Sequence, residues 1–224
     1  MHKKNTLADK AKILEQIKSL MSKTNVVCSE EQFDKLATLV VLLCKWNTAL
    51  NLTAIREADK MVVLHILDSA VVSPLIENKG DNIADVGTGA GFPGLVLAIL
   101  HPEIHFTLID SIAKKLSFVR TAMVSLNLNN VTIINDRCEN IVLERKFDCI
   151  LSRAFAPLAK IIEWCENLIA DDGVFICMKA NLEPNELGEV PSFAKIQENI
   201  ELTVPSLDAK RQAVIMKLDK AKGL

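Results

Sequence analysis

The first 73 residues carry apolar side chains at the spacing of amphipathic helices. Three helices are predicted, over residues 7–22, 29–46 and 59–73. The second opens at Ser29, and Gln32 three positions later completes a capping box. Residues 47–56 between the last two helices are polar and predict a loop. We interpret residues 1–73 as a helical cap, not an independent domain.

From Asn82 the pattern changes to short apolar runs separated by helical periods. Five strands are predicted, over residues 82–86, 105–109, 131–134, 147–151 and 174–178. Asp172 and Gly173 are expected to form a turn before the fifth strand. Strands alternating with helices are typical of a parallel, doubly wound sheet. Residues 195–203 and 213–218 alternate like an antiparallel hairpin, so residues 74–224 are predicted to form one α/β domain.

Composition narrows the class of protein. The chain has 224 residues, of which 50% are hydrophobic, so it can bury a core, and disordered or fibrous classes are excluded. No apolar run reaches the roughly 18 residues of a membrane span. The basic start leads into a charged stretch, so we expect no signal peptide and a cytoplasmic protein. The six cysteines lack metal-ligand spacing, which predicts buried free thiols and no metal site.

The net charge of −2 is unevenly distributed along the chain. Residues 1–56 carry 9 basic and 5 acidic side chains, whereas residues 57–174 carry 10 and 16. The basic excess is either the solvated face of helices or a patch that contacts phosphates. The pattern alone leaves both interpretations open.

The segment from Asp85 to Gly94, DVGTGAGFPG, is the most informative stretch. Gly87 and Gly89 follow the first predicted strand, where glycine lets a ligand approach the backbone closely. The spacing also fits a dinucleotide fingerprint, but Asp85 is expected to aim negative charge at the loop. That charge would oppose a diphosphate and suit an ammonium or sulfonium group. Asp110, which closes the second strand, is placed to accept hydrogen bonds from the ribose hydroxyls of either ligand. A ribose together with a cationic group indicates S-adenosylmethionine.

Two further loops lie at predicted strand ends. After the third strand, the backbone of Cys138 and Glu139 is placed either to pair with an adenine edge or to form a plain polar loop. After the fourth strand, Arg153 is expected in the crevice, with an ion pair to Asp85 or Glu139 as the alternative. His65 and Asp68, three positions apart on the third helix, are interpreted as structural.

Several segments together resemble a known family, the bacterial 16S ribosomal RNA guanine-N7 methyltransferase G or glucose-inhibited division protein B family. The resemblance rests on residues 45–47, 51–53, 65–69, 85–94, 105–111 and 152–155. It implies a class I S-adenosylmethionine-dependent methyltransferase fold. It also implies cofactor contacts at positions that match the family's pattern, namely Gly87, Phe92, Cys138, Glu139 and Arg153. The chain departs from that pattern at Cys138, Ala180 and Gln212.

The resemblance implies methyl transfer to guanine N7 in the 530 loop, with 16S rRNA or the 30S subunit as partner. N7 carries a lone pair and no proton, so no general base is needed, and no catalytic residue is predicted. Candidate contacts to the RNA are Lys3, Lys4, Lys10, Lys12, Arg56, Lys179 and Arg211. A monomer is expected. The alternatives are an NAD-type oxidoreductase, a small-molecule methyltransferase and a nucleotide-sensing protein without turnover.

Overall fold

The computed structural model describes residues 9–180, 182–183 and 185–219. Across these residues, seven strands form one sheet. The strands are β1 (Asn82–Val86), β2 (His105–Ile109), β3 (Val131–Ile134), β4 (Phe147–Arg153), β5 (Ile169–Lys179), β6 (Ala194–Glu201) and β7 (Gln212–Leu218).

The sheet runs in the order β3-β2-β1-β4-β5-β7-β6. Strands β1 to β5 pair in parallel, and β6 and β7 pair antiparallel to each other at one side. The predicted doubly wound sheet and its closing hairpin are confirmed. The strand order reverses between β1 and β4, and such switch points open a crevice at the carboxyl ends of the strands.

The helices flank this sheet. They are α1 (Lys10–Met21), α2 (Glu30–Leu50), α3 (Ala58–Met61), α4 (Asp68–Ala70), α5 (Ser73–Ile76), α6 (Gly94–Leu100), α7 (Ala113–Ser125) and α8 (Leu158–Cys165). A π-helical segment, Val62–Leu67, joins α3 to α4, and Cys138–Asn140 form a 3₁₀ turn. No helix in the described part of the chain is long and apolar enough to cross a membrane.

Three local predictions compare with the structure as follows. The capping box at Ser29 is confirmed: its hydroxyl accepts the Gln32 amide at 3.2 Å, and Gln32 Oε1 accepts the Ser29 amide at 2.8 Å. The helix predicted over 59–73 is confirmed only in part: helical structure runs without a break from Ala58 to Ala70, but Val62–Leu67 within it are π-helical, and the chain turns at residues 71–72. The turn at Asp172 and Gly173 is wrong, because β5 already begins at Ile169 and accommodates the extra residues as an irregularity in its register with β4.

The two faces of the sheet are covered by different helices. Alternate strand residues such as Ile83 and Leu151 pack with α1, α2, α6 and α7 in one buried cluster. Their neighbours Ala84 and Ile150 pack against α8 in a second cluster. Because both faces are buried, the strands are apolar throughout, and the polar chemistry collects at the strand ends.

Candidate active site

The loop after β1 depends on glycine. Gly87 and Gly89 have φ angles of +65° and +60°, in the left-handed region. A Cβ atom at Gly87 would lie 2.1 Å from Cδ2 of Phe155, whereas at Gly89 the nearest atom would be 3.9 Å away. The backbone at Gly87 therefore lies directly against an aromatic ring, and the surface at Gly89 is open.

Asp85 supports this loop from beneath. It is completely buried, and its Oδ2 accepts the Thr88 hydroxyl at 2.6 Å and the Gly94 amide at 2.8 Å. Its Oδ1 has no hydrogen-bond partner in the described residues, and burial raises the pKa of this carboxyl to about 6. The expectation that Asp85 faces a ligand is wrong: it lines neither cavity beside the loop, since the Thr88 and Gly94 bonds hold it inside the protein.

Two adjoining cavities open at the carboxyl ends of the strands. The larger cleft has a volume of about 790 Å³ and the smaller cavity about 390 Å³. Their shared walls are Gly87, Lys115, Ala154 and Phe155. All seven predicted cofactor residues line one or the other: Gly87, Gly89, Phe92 and Arg153 the larger cleft, and Gly87, Asp110, Cys138 and Glu139 the smaller cavity.

The smaller cavity lies where β2 and β3 end side by side. Asp110 is buried there, and its two oxygens accept the backbone N–H groups of Gly89 and Ile112, each at 2.8 Å. The 3₁₀ turn brings Cys138, which is buried, and Glu139, which is exposed, to the same cavity. A carboxylate and a backbone turn thus line one cavity together with Phe155.

Three charged residues that line the larger cleft, Asp68, Arg153 and Arg211, form a cluster. Asp68 Oδ2 accepts Nη1 of Arg153 at 3.0 Å, and its Oδ1 accepts Nε of Arg211 at 2.9 Å. Arg153 Nη1 also donates to the Leu64 carbonyl at 3.0 Å. The alternative partners predicted for Arg153, Asp85 and Glu139, are therefore wrong, because Asp68 takes this place.

His65 lines the same cleft. Its ring stacks on Phe92 with centroids 4.8 Å apart, and its Nε2 lies 3.0 Å from the Thr53 hydroxyl. Burial, and secondarily the charge of Arg153, lower the pKa of His65 to about 3, so the ring is neutral at physiological pH. His65 and Asp68 both line the cleft, and the π-helical geometry that places them there is frequent at functional sites.

The cationic residues predicted to contact RNA differ in whether an acidic side chain of the protein already pairs with them. Arg56 is exposed and bonds only to the Asn47 carbonyl and the Asn51 side chain, at 3.1 and 2.8 Å. Lys179 lines the cleft, but its Nζ lies 2.5 Å from Glu186 Oε1, and both side chains are nearly buried. Lys179 is thus neutralised within the protein, which removes it as a free phosphate contact.

The amino-terminal lysines also differ in their pairing. Lys10 pairs with Asp34 at 2.6 Å on the surface, and Lys12 is exposed. Lys3 and Lys4 lie outside the described residues. The amino-terminal patch therefore keeps only part of the free charge that composition indicated.

Two residues of the site escaped the sequence analysis. Lys115 lines both cavities and has no acidic partner among the described residues. Phe155 covers Gly87, and the residue before it, Ala154, adopts a left-handed φ of +49°. Position alone could have indicated Lys115, at the start of the helix after β2, but nothing in the sequence pairs Phe155 with Gly87.

The mostly parallel sheet, with its antiparallel β7, the glycine turn after β1 and the cavities at the strand ends, has the class I Rossmann-like fold of methyltransferases. The fold resembles that of the ribosomal protein L11 methylase from Lactobacillus delbrueckii subsp. bulgaricus, with a TM-score of 0.52 and 16% identity over 67% of this chain and 76% of that chain. The model of the GidB family, described as rRNA small subunit methyltransferase G, matches residues 32–215. The chain belongs to this family.

Curated relatives agree with this assignment. The chain is 42% identical to the ribosomal RNA small subunit methyltransferase G of Psychromonas ingrahamii over 92% of this chain and 98% of that protein. It is 44% identical to the protein of that name from Haemophilus influenzae, over 89% and 97%. The chain is therefore a methyltransferase that uses S-adenosylmethionine, and the oxidoreductase and the non-catalytic sensor are set aside.

Proposed function

We propose that this protein transfers a methyl group from S-adenosylmethionine to N7 of a guanosine in the 530 loop of 16S rRNA, as a cytoplasmic monomer. The observation that carries the proposal is the match of nearly the whole chain to relatives named for methylation of small-subunit rRNA. The site geometry supports it, because a cofactor-sized cavity opens into a wider cleft edged by cationic side chains.

The residues at the two cavities fit S-adenosylmethionine. Both volumes fall within the range of about 300 to 1,000 Å³ of small-molecule sites. The surface at Gly89 is open, so a ligand can rest on the backbone, and Asp110 keeps lone pairs free beside its two N–H partners. When bound, S-adenosylmethionine supplies an electrophilic methyl group on a sulfonium.

We assign the residues to the parts of this cofactor as follows. Asp110 would accept the ribose hydroxyls, and the backbone of Cys138 and Glu139 would pair with the base. Gly87, Gly89, Phe92 and Arg153 would surround the methionine portion. The support is that the first three residues line the smaller cavity, the last four line the larger cleft, and Gly87 lies between the two.

The charges of the cleft suit an acceptor that needs no proton removed. Guanine N7 has an in-plane lone pair, so the protein has only to align the base with the methyl group and exclude water. His65, the histidine on the cleft wall, is held neutral and bonded to Thr53, and it is not needed as a base. Arg211, Lys115 and Arg56 supply positive charge for the RNA backbone.

The test is methyl transfer to defined ribosomal substrates. Purified protein is incubated with S-adenosylmethionine and either 30S subunits or naked 16S rRNA from a strain lacking the corresponding gene. N7-methylguanosine is then mapped by borohydride and aniline cleavage followed by primer extension. We expect one new stop in the 530 loop. A stop elsewhere in the RNA, or no stop with either substrate, would contradict the proposal.

A further inference from the structure

Asp68 links three parts of the chain at the cleft. It begins α4 directly after the π-helical segment, and its side chain is 6% exposed. One oxygen is bonded to Arg153 at the end of β4, and the other to Arg211 just before β7. These partners lie 85 and 143 residues away along the chain, so a single carboxylate fixes the relative positions of two distant arginines.

The cluster retains one net positive charge. Two guanidinium groups share one carboxylate, and the adjacent His65 is neutral because burial lowers its pKa to about 3. Two further carboxylates have to be counted. Glu186 is engaged by Lys179 and by the Leu158 amide, and the buried Asp85 interacts with the charge of Arg153 without a hydrogen bond. The hydrogen-bonded group of Asp68, Arg153 and Arg211 therefore keeps an excess of guanidinium charge at the cleft, and Asp85, which lines neither cavity, offsets part of it from inside the protein.

Both arginines keep N–H groups for a ligand. A guanidinium has five donors; Arg211 uses Nε on Asp68 and Nη1 on the Lys210 carbonyl, which leaves its Nη2 without a protein partner in the described residues. Arg153 directs Nη1 at Asp68 and Leu64 and Nη2 at His65 Nδ1, 3.4 Å away, and its Nε has no protein partner in the described residues either. A paired guanidinium cannot rotate freely, so these remaining donors point in fixed directions.

We propose that Asp68 is a positioning residue that aligns the cofactor-facing Arg153 with the RNA-facing Arg211. It would control how accurately the two substrates meet, more than how tightly either is bound, because alignment contributes to the rate of the transfer step. The inference rests on the proposed function, which places the cofactor at Arg153 and the RNA backbone at Arg211. It assigns to Asp68 a role beyond the structural one that its helical spacing indicated.

The key variant is Asp68→Asn, which is nearly isosteric and removes one negative charge facing a polyanion. We expect kcat to fall at least tenfold, while the Kd for S-adenosylhomocysteine stays within threefold and RNA binding does not weaken. Asp68→Glu keeps the charge but shifts it by one methylene, and we expect it to lower kcat as well. Asp59→Asn is the matched control, since Asp59 is exposed on α3 and its carboxylate has no hydrogen bond or ion pair in the described residues, while its backbone carbonyl accepts from Gln16 and Val62.

The alternatives predict different outcomes. If Asp68 only screened charge, Asp68→Asn would bind RNA more tightly at unchanged kcat, and Asp68→Glu would behave like the wild type. If it only stabilised the fold, the melting temperature would fall while the folded fraction kept its specific activity. Either result would overturn the proposal.

Because Asp68→Asn leaves two arginines with a weakened partner, a second variant guards against misfolding. Asp68→Asn/Arg211→Gln restores the charge balance, and we expect it to fold and to have a kcat no lower than that of the less active single variant. Losses that multiply in the double variant would show that the two residues act independently, contrary to the proposal.

A readout without turnover separates this inference from the proposed function. The Nε–H of Arg211 is held by Asp68 at 2.9 Å, so its NMR signal should exchange with solvent more slowly in the wild type than in Asp68→Asn. Equal exchange would refute the positioning role. Slow exchange in a wild-type protein that methylates no 16S rRNA would instead refute the proposed function.

Discussion

The two walls of the larger cleft are built in different ways. The glycine wall is the loop from Gly87 to Phe92, which presents backbone and an aromatic ring, and its glycines leave a surface that a ligand can touch directly. The charged wall presents the guanidinium groups of Arg153 and Arg211, both bonded to the buried Asp68. The two walls meet where His65 and Arg153 lie against the Phe92 ring. The glycine wall can bind a ligand through close contact with its backbone, and the charged wall through positively charged groups held in fixed directions.

The difference shows how one cleft can accommodate two dissimilar substrates. At Gly87 the backbone leaves no room for a Cβ atom, so the contribution of the glycine wall should be lost abruptly when a side chain is introduced there. A wall of paired charges is held by long-range ion pairs, so its contribution changes with pH, salt and the geometry of each pair. Variants of the two walls should therefore fail in different ways.

The largest effect is expected on the glycine wall. In Gly87→Val the new Cβ would lie 2.1 Å from the Phe155 ring, and the residue must keep a φ of +65°. Calorimetry should show a loss of at least 100-fold in affinity for S-adenosylhomocysteine, about 2.7 kcal/mol, with NAD unbound by either protein.

Gly89→Ala is the matched control for this prediction. Its φ of +60° is equally unsuited to a side chain, but the nearest atom is 3.9 Å from the added Cβ. It isolates backbone strain from the contact with Phe155, and we expect a smaller loss. If Gly87→Val bound S-adenosylhomocysteine as tightly as the wild type does, the cofactor would not contact the backbone at Gly87.

A second prediction concerns acid sensitivity on the charged wall. His65 has a pKa of about 3 in the folded protein against an ordinary 6.5. The unfolded chain therefore binds more protons between these values, and stability is lost as the pH falls from 6.5 towards 3. Between pH 7 and 5 this loss amounts to about 2 kcal/mol.

His65→Gln removes that titration. Between pH 7 and pH 5, the free energy of unfolding of this variant should therefore decline by about 2 kcal/mol less than that of the wild type. Urea denaturation at both pH values measures the two declines. Asp85, whose pKa is raised to about 6, favours the folded state in acid and so opposes the effect of His65. It is present in both proteins and cancels in the comparison. Parallel declines in the two proteins would show that His65 is not held neutral by the fold.

The third prediction tests Arg153 as part of the reaction crevice. Arg153→Ala should lower methyl transfer at least tenfold, about 1.4 kcal/mol, with only a modest fall in melting temperature, because Asp68 remains paired with Arg211. Arg153→Lys keeps the charge but not the planar guanidinium, whose Nη1 bonds to both Asp68 and Leu64 and whose Nη2 lies 3.4 Å from His65 Nδ1, so it should recover only part of the activity. A variant that melts far lower yet retains its specific activity would reduce Arg153 to a structural ion pair.

The smallest effects are expected at the rim of the cleft, by which we mean Lys115, which lines both cavities, and Arg56, which lines neither but directly follows the cleft-lining Ile55. Lys115→Gln and Arg56→Gln should each flatten the dependence of log K for rRNA on log salt by about one unit. Lys160→Gln is the control, since Lys160 is exposed, pairs with Glu163 at 2.7 Å and lines neither cavity. Filter binding at several salt concentrations measures all three, and equal slopes would exclude a phosphate contact at the rim.

The glycine wall could be predicted from the sequence, and the charged wall could not. Gly87, Asp110 and Cys138 each follow a strand in the chain, so recognising the alternating pattern of strands and helices was sufficient to place them at one edge of the sheet. The parallel order of β1, β2 and β3 then brought them together without any knowledge of side-chain packing.

The charged wall depends on contacts that no local pattern records. Asp68 meets Arg211 only because β7 inserts between β5 and β6 in the sheet, and a π-helical segment directly precedes Asp68. Lys179 followed a predicted strand and appeared available, yet Glu186 neutralises it. Charged residues in a sequence thus indicate a possible binding surface, but only the folded structure shows which of them are already paired within the protein.

The central claim is that the glycine wall binds the cofactor and the charged wall binds the RNA, and it can be measured directly with two ligands and two variants. Affinities for S-adenosylhomocysteine and for 16S rRNA are determined side by side for wild type, Gly87→Val and Arg211→Gln. We expect Gly87→Val to lose the cofactor analogue at least 100-fold and to keep RNA affinity within threefold, and Arg211→Gln to weaken RNA binding while leaving the analogue within threefold. Proportional losses of both ligands in both variants would contradict the account.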